Sequence, residues 1–339
     1  MVPPDAGSPV RRRLGLFLLG AHGPASIPVL ARAAEDAGLD DVWLAEHHFT
    51  AYGTLPSATV AAGHALGATR RIEVGTAACV LPARHPVALG EEAALLHELS
   101  GGRFRLGVAR GGPWVDLEVF GTGLPRRDEG FPESLDLLRS WLSGAYRVGS
   151  DRDLFRFREV TVSPRVTMPI WVAATSPGTA AEAARRGLPL LLGMHADAAE
   201  KTGMLAHWAS VAAAHGHDPA DADHVSVHLA PGPAPLLESL LERTRDYVRI
   251  DGSPPAHRDL DAYAARLRRI HETIEPIPGV RRTLLFVEAA GSLDAVRDTI
   301  SRLRPEARPQ PVARPAGEPV ARSEAGPGVR SGAEAAARL

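Results

Sequence analysis

Asp41-Val42-Trp43-Leu44-Ala45-Glu46-His47-His48-Phe49 runs from an apolar pentad into a carboxylate and two imidazoles, and the fold turns on how it is read. The pentad carries the branched and aromatic residues that favour a buried strand. A loop with Gly, Thr and Pro follows, and Ser57 then opens a helix. A strand that ends in polar, chemically competent residues and leads into a helix is the unit of a parallel α/β sheet. Such sheets and barrels build their sites where the strands end.

The same rhythm repeats outward from this stretch. Upstream, Arg12 to Leu19 reads as a strand, and Ser26 opens a helix whose Ile27, Leu30, Ala31, Ala34 and Ala37 share one face until Gly38 stops it. Downstream, strands are expected at 72–81, 103–109, 169–174, 188–193, 224–229 and 282–287. Helices are expected at 57–69, 86–99, 129–142, 177–186, 197–215, 235–250 and 293–303. Eight strand-helix units in order predict a (β/α)8 TIM barrel with insertions. Residues 1–12 form an N-terminal extension, 13–304 the barrel, and 305–339 a disordered tail rich in Pro, Ala, Gly, Arg and Glu with no periodic apolar face. Three segments interrupt the barrel pattern. Residues 111–127 read as a long loop and 146–169 as a small hairpin; 251–279 reads either as a lid over the barrel mouth or as a surface insertion.

Composition narrows the function classes. A net charge of -2 and 45% hydrophobic residues in 339 describe a globular chain and point to neither nucleic acid nor a membrane surface as partner. Lys201 is the sole lysine, so arginine supplies nearly all the positive charge, a bias of the source composition. The single Cys79 excludes an intramolecular disulfide and any multi-cysteine metal centre. With no secretory signal and no apolar run approaching the ~20 residues of a membrane span, the expected location is cytoplasmic.

Three clusters carry candidate chemistry. Strand alternation puts Glu46 and His48 on one side and His47 on the other. His47 then reads as a proton shuttle with Glu46 or His48 orienting its surroundings, or the three reduce to a packed His-Glu pair. A metal site with His85 as third ligand lacks regular ligand spacing, and no metal is expected. The small residues of Val74-Gly75-Thr76-Ala77-Ala78-Cys79 leave room either for a flat ligand against the backbone or for tight packing, with Cys79 an inert buried thiol. Arg110-Gly111 and Thr175-Ser176-Pro177-Gly178-Thr179 read as a phosphate cradle, or as an ordinary helix cap beside a solvated arginine. No glycine-rich dinucleotide or P-loop motif is present.

Three stretches taken together resemble the bacterial luciferase-like flavin monooxygenases, above all their catalytic (alpha) subunits. They are Glu46 to Thr50, Val74 to Pro86 (VGTAACVLPARHP), and Gly102 to Gly111 (GRFRLGVARG) with Val119-Phe120-Gly121-Thr122 beyond. The resemblance implies a TIM barrel that binds reduced FMN at its mouth. A separate flavin reductase would supply the FMN, and O2 would add to it as a peroxide that oxygenates a small organic substrate. By position, His47 is the implied base, flanked by Glu46 and His48, and Arg110, Gly111, Ser176 and Thr179 hold the phosphate. Ala77-Ala78 falls where the family has a non-proline cis peptide beneath the flavin ring. Tyr52, Trp114 and the 251–279 segment are expected to shape the substrate pocket. Two departures stand out: Ala109 replaces the reactive cysteine of luciferases, so light emission is not implied, and Thr175 replaces an acidic residue before the phosphate-binding serine. Relatives of this barrel use the deazaflavin F420 as a hydride carrier, which remains an alternative. A non-catalytic, beta-like partner subunit is another, against which the retention of His47 and Arg110 speaks. A homodimer is expected through helices 57–69 and 86–99, where Ala58, Ala61, Ala62 and Ala65 allow close approach.

Overall fold

The structure, a computed structural model, describes residues 12–49, 53, 55–111, 114–230, 277–288 and 291–303. The strands are β1 (Arg13–Leu18), β2 (Asp41–Leu44), β3 (Glu73–Thr76), β4 (Cys79–Val80), β5 (Phe104–Ala109), β6 (Arg147–Asp151), β7 (Arg156–Thr161), β8 (Ile170–Ala173), β9 (Leu190–Leu192), β10 (His224–Leu229) and β11 (Val280–Phe286). β6 and β7 make the expected hairpin, and the other strands form one parallel sheet. That sheet closes on itself: β1 pairs with β2 and β11, and β3 pairs with β5 as well as β2, which leaves no free edge. With β4 continuing the course of β3, the barrel has eight staves, and the TIM-barrel expectation holds.

Helices α1 (Ser26–Asp36), α2 (Ala58–Ala68), α3 (Pro86–Leu99), α4 (Trp114–Val119), α5 (Gly123–Asp128), α6 (Gly130–Trp141), α7 (Pro177–Ala184), α8 (Ala198–Ala214) and α9 (Leu293–Arg302) complete the described elements. Their starts follow from the sequence. Ser57, Ser176, Asp197 and Ser292 each accept a backbone N–H of the first turn, and Asp197 with Glu200 forms a full capping box. Most expected boundaries fall within two residues. The 235–250 helix, nearly all of the 251–279 segment and the 305–339 tail lie outside the described residues.

Two expectations need correction. The single strand at 72–81 is in fact two short strands, because after Thr76 the chain leaves the ladder through a cis Ala77–Ala78 peptide and the Val80 N–H turns to the Glu46 carboxylate. The loop at 111–127 contains α4 and α5. Asp116 in the first turn of α4 and Arg126 and Arg127 in the last turn of α5 suit the helix dipoles, and Pro125 sits in a first turn that needs no N–H from it.

Alternation along the strands divides the core. Leu16, Leu18, Val42, Leu44 and Val74 face outward under the helices, whereas Phe17, Leu19, Trp43, Trp171, Val227 and Phe286 fill the barrel. Inside it, Trp43 and Trp171 meet edge to face at 5.3 Å. Gly75 makes this possible, since a Cβ there would lie 2.5 Å from the Trp43 indole. On helix α2, Ala58, Ala62 and Ala65 are fully buried against the chain's own core. Its outward face, with that of α3, instead shows Val60 (74% exposed), Leu95 and Leu99.

At the N-terminal end of the strands lies a closed charge network. Arg282 reaches Asp223 at 2.6 Å, Glu73 at 2.8 Å and Asp41 at 3.0 Å. Arg13 reaches Glu73 at 2.9 Å and Asp41 at 3.3 Å, and Arg105 reaches Glu73 at 2.8 Å. Asp41 is wholly buried, and burial pushes its carboxyl up to about 6 against the pull of Arg282 and Arg13.

Candidate active site at the barrel mouth

The opposite, C-terminal end of the barrel opens into a cavity of about 420 Å³. Every site residue expected from the sequence lines it: Glu46, His47 and His48 after β2, Ala77 and Ala78 after β3, Arg110 and Gly111 after β5, and Ser176 and Thr179 at the start of α7. Residues 130 positions apart in the chain are thus brought together by the closure of the sheet. Tyr52 and the side chain of Trp114 lie outside the described residues.

The three residues after β2 divide the work. Glu46 is buried, and its oxygens accept from the Val80 N–H at 3.0 Å, the Ala58 N–H at 3.3 Å, Arg84 at 2.8 Å and His48 Nε2 at 3.4 Å. Burial alone would raise its carboxyl, but these donors outweigh it and hold the group below the usual carboxylate range. The expected Glu46–His48 pair is therefore real, and it is part of a larger clamp on the strand end. His48 also packs edge-on against Phe120 at 4.9 Å. His47 stands apart from that clamp. Its backbone N–H is tied to Leu55 O at 3.0 Å, and burial, with His48 and His195 nearby, pushes its imidazole down to about 4. The ring is neutral near pH 7, with one nitrogen to donate and one to accept.

Across the cavity lie Arg110, Ser176 and Thr179, with the buried Asp116 on the same lining. Arg110 stacks over Phe131 at 5.1 Å, its Nε is buried without a hydrogen-bond partner, and among the described residues no carboxylate pairs with it. Ser176 caps α7 by accepting the Thr179 N–H, so the first turn of that helix and two hydroxyls face the same space. Gly111 adopts φ +83°, and a Cβ on it would come within 2.8 Å of Val80, so the backbone can approach a ligand there as a side chain could not. The floor between is Ala77, Ala78, Ala109 and Ala173. A small floor, a neutral imidazole on one wall and a guanidinium that no described carboxylate pairs, with a helix N-terminus opposite, suit a planar ring that carries a phosphate. This is the fit a flavin requires.

Among the lining residues that the sequence does not announce are Asp116, Arg127, Met194 and His195. Arg127 comes from α5, whose segment has no helical signal in the sequence, and its Nε donates to Gly111 O at 3.4 Å. Met194 and His195 follow β9, a strand too short to project a pattern past its end. His85, weighed as a metal ligand, instead caps α3 and packs on Phe155 at 5.0 Å. Cys79 is buried, and burial pushes its thiol far up, as expected of an inert thiol.

Comparison with known proteins finds relatives in sequence and in fold. The alkanal monooxygenase alpha chain of the Kryptophanaron alfredi symbiont is 40% identical over 199 residues, a match that takes in 58% of this chain and 56% of that one. An F420-dependent secondary alcohol dehydrogenase solved with an F420-acetone adduct shares the fold at TM-score 0.72 and 17% identity, covering 86% of this chain and 97% of that one. The oxygenating constituent of 3,6-diketocamphane monooxygenase from Pseudomonas putida, solved with FMN, does so at TM-score 0.60 and 15% identity, covering 87% and 99%. The sequence profile that describes luciferase-like monooxygenases matches residues 12–304, the span from the first strand to the end of the last helix, and the chain belongs to that family.

Proposed function

We propose that this chain is a flavin-dependent monooxygenase that takes reduced FMN from a separate reductase and uses it with O2 to oxygenate a small organic substrate. The observation that carries the reading is Arg110, a cation that no carboxylate pairs among the described residues, set beside the α7 N-terminus in a cavity floored by alanines. Arg110, Ser176 and Thr179 would hold the phosphate, with Arg127 as a further cation on the same cavity, and Ala77 and Ala78 would carry the ring. Bound reduced FMN would supply the electrons that activate O2. The chain's own contribution is shelter and proton management. Phe17, Leu19, Leu191 and Val227 line the cavity beneath and exclude water from it. His47, neutral and fixed at the wall, can hold a proton at the ring or release it, and an anionic ring beside it would raise its affinity for that proton. Glu46 and His48 hold the wall that presents it.

Mixing the protein, loaded with photoreduced FMN, with O2 in a stopped-flow instrument tests this. Wild type should delay the return of oxidised-FMN absorbance relative to free FMN, and His47→Ala should shorten that delay. Oxidation at the rate of free FMN in wild type, or an unchanged delay in His47→Ala, overturns the reading. The F420-dependent fold neighbour keeps a hydride-transfer reading in play, and a titration in which F420 binds more tightly than FMN would select it. The exposed Val60, Leu95 and Leu99 on α2 and α3 support a second copy of the chain as partner, which sedimentation of the purified protein would detect as a dimer.

A further inference from the structure

Arg84 lies between β4 and α3, outside the cavity lining, yet it touches the group that anchors the cavity wall. Its Nη2 donates to Glu46 Oε2 at 2.8 Å, and its Nη1 lies 3.5 Å from Glu92 Oε2 on α3. Glu92 in turn accepts from the Thr59 hydroxyl on α2 at 2.8 Å, and the Arg84 carbonyl accepts from Arg126 at 3.1 Å. The guanidinium is thereby held on both sides, and a continuous polar chain runs from Thr59 through Glu92, Arg84 and Glu46 to His48.

The charged and titratable groups around Glu46 leave Arg84 a distinct part. From its own segment come His47 and His48, from β4 comes Cys79, and from α3 comes Glu92 by way of Arg84. Cys79 stays a neutral thiol, and Glu92 brings negative charge. Among the described residues, Arg84 is the one arginine or lysine in salt-bridge contact with Glu46. A buried carboxylate that loses its cation faces desolvation unopposed and takes up a proton.

We propose that Arg84 is a positioning residue for the cavity: it keeps Glu46 a carboxylate, which fixes the proton of His48 on Nε2 and holds the 45–48 segment so that His47 stays at the wall. The proposal rests on the flavin reading only in supposing that this wall serves FMN chemistry. Its physical core is testable on the protein without any ligand.

The test is a pH 5–8 series of side-chain ¹⁵N spectra on histidine-labelled protein, with His48 assigned by its loss in His48→Gln. In wild type Nε2 of His48 should carry its proton throughout, because it faces the Glu46 carboxylate. In Arg84→Met part of the His48 population should lose the Nε2 proton, because a protonated Glu46 donates to that nitrogen, and Arg84→Lys should restore it. An Nε2 proton retained throughout in Arg84→Met, accompanied by nothing but a lower melting temperature, would make Arg84 a structural brace and overturn the proposal. Where Arg84→Met fails to fold, Arg84→Gln, also polar and uncharged, is read in the same way. FMN affinity provides a second readout: its pH dependence should differ from that of wild type in Arg84→Met, whereas Arg110→Ala should weaken binding and leave that dependence in place. Should wild type bind no FMN, the flavin reading fails and the ¹⁵N spectra still decide the role of Arg84.

Discussion

At the N-terminal end of the barrel Arg13, Arg105 and Arg282 are all engaged by Asp41, Glu73 and Asp223, whereas at the C-terminal end Arg110 faces the cavity with an aromatic ring beneath it and, among the described residues, no carboxylate paired with it. Both arrangements place guanidinium groups where water is scarce. The first is closed by the protein itself, and the second would take its counter-charge from the phosphate of the proposed flavin. The comparison teaches that pairing, and not the presence of charge, separates a stabilising network from a binding site. TIM barrels assign the same roles to these two ends, the strand starts to stability and the strand ends to chemistry.

The largest effect should come from opening the closed network. Arg282→Leu leaves Asp41 and Glu73 buried beside too little positive charge and should cost about 3–5 kcal/mol in urea denaturation. Loss of under 1 kcal/mol would show that the network is dispensable. Arg110→Ala should act in the opposite sense, leaving stability within about 0.5 kcal/mol. It should weaken FMN by about 1.5–3 kcal/mol, the worth of a charged hydrogen bond, with riboflavin unaffected in a fluorescence titration. An equal loss for both ligands would place Arg110 away from the phosphate.

Acid pH probes both ends. His224 is buried at the start of β10, accepts the Leu190 N–H at 3.0 Å and packs edge-on against Trp208, and burial with Arg281 nearby pushes it down to about 4. Below about pH 6.5 the unfolded chain therefore binds a proton that the folded chain refuses. His224 should contribute a fall of about 1.4 kcal/mol per pH unit toward acid until about pH 4, and His224→Gln should remove that share of the acid limb. His47 has the same depressed value at the mouth, but there a bound anion would raise it. FMN should thus relieve part of the acid slope in wild type and none of that part in His47→Gln. The smallest effect belongs to a residue with two duties: Ser176→Ala should remove the α7 cap at about 1 kcal/mol of stability and weaken FMN by a similar amount.

Much of this was legible in the chain because it follows from short-range pattern. Strand and helix periods gave eight units, and each unit announces its own strand end, so Glu46-His47-His48 and Arg110-Gly111 could be placed at the mouth before their neighbours were known. What stayed hidden depends on distance in sequence. Arg282 meets Asp41 across 241 positions and Arg84 meets Glu46 across 38, and neither pair has a local signature. Ala58, Ala62 and Ala65 show a different limit. Small size on a helix face says that something packs closely there but not what, and here it is the chain's own core.

Lys201 gives the fold a built-in reporter. It is the only amine-bearing side chain in the sequence, it is almost fully buried on α8, and its Nζ donates to Val227 O at 2.7 Å on the strand whose side chains line the cavity. An acylating reagent can reach it when α8 parts from β10, so the rate at which this one position is labelled measures how often that seam opens. Mass spectrometry of a single tryptic peptide would then follow the breathing of the barrel, with and without a ligand at its mouth.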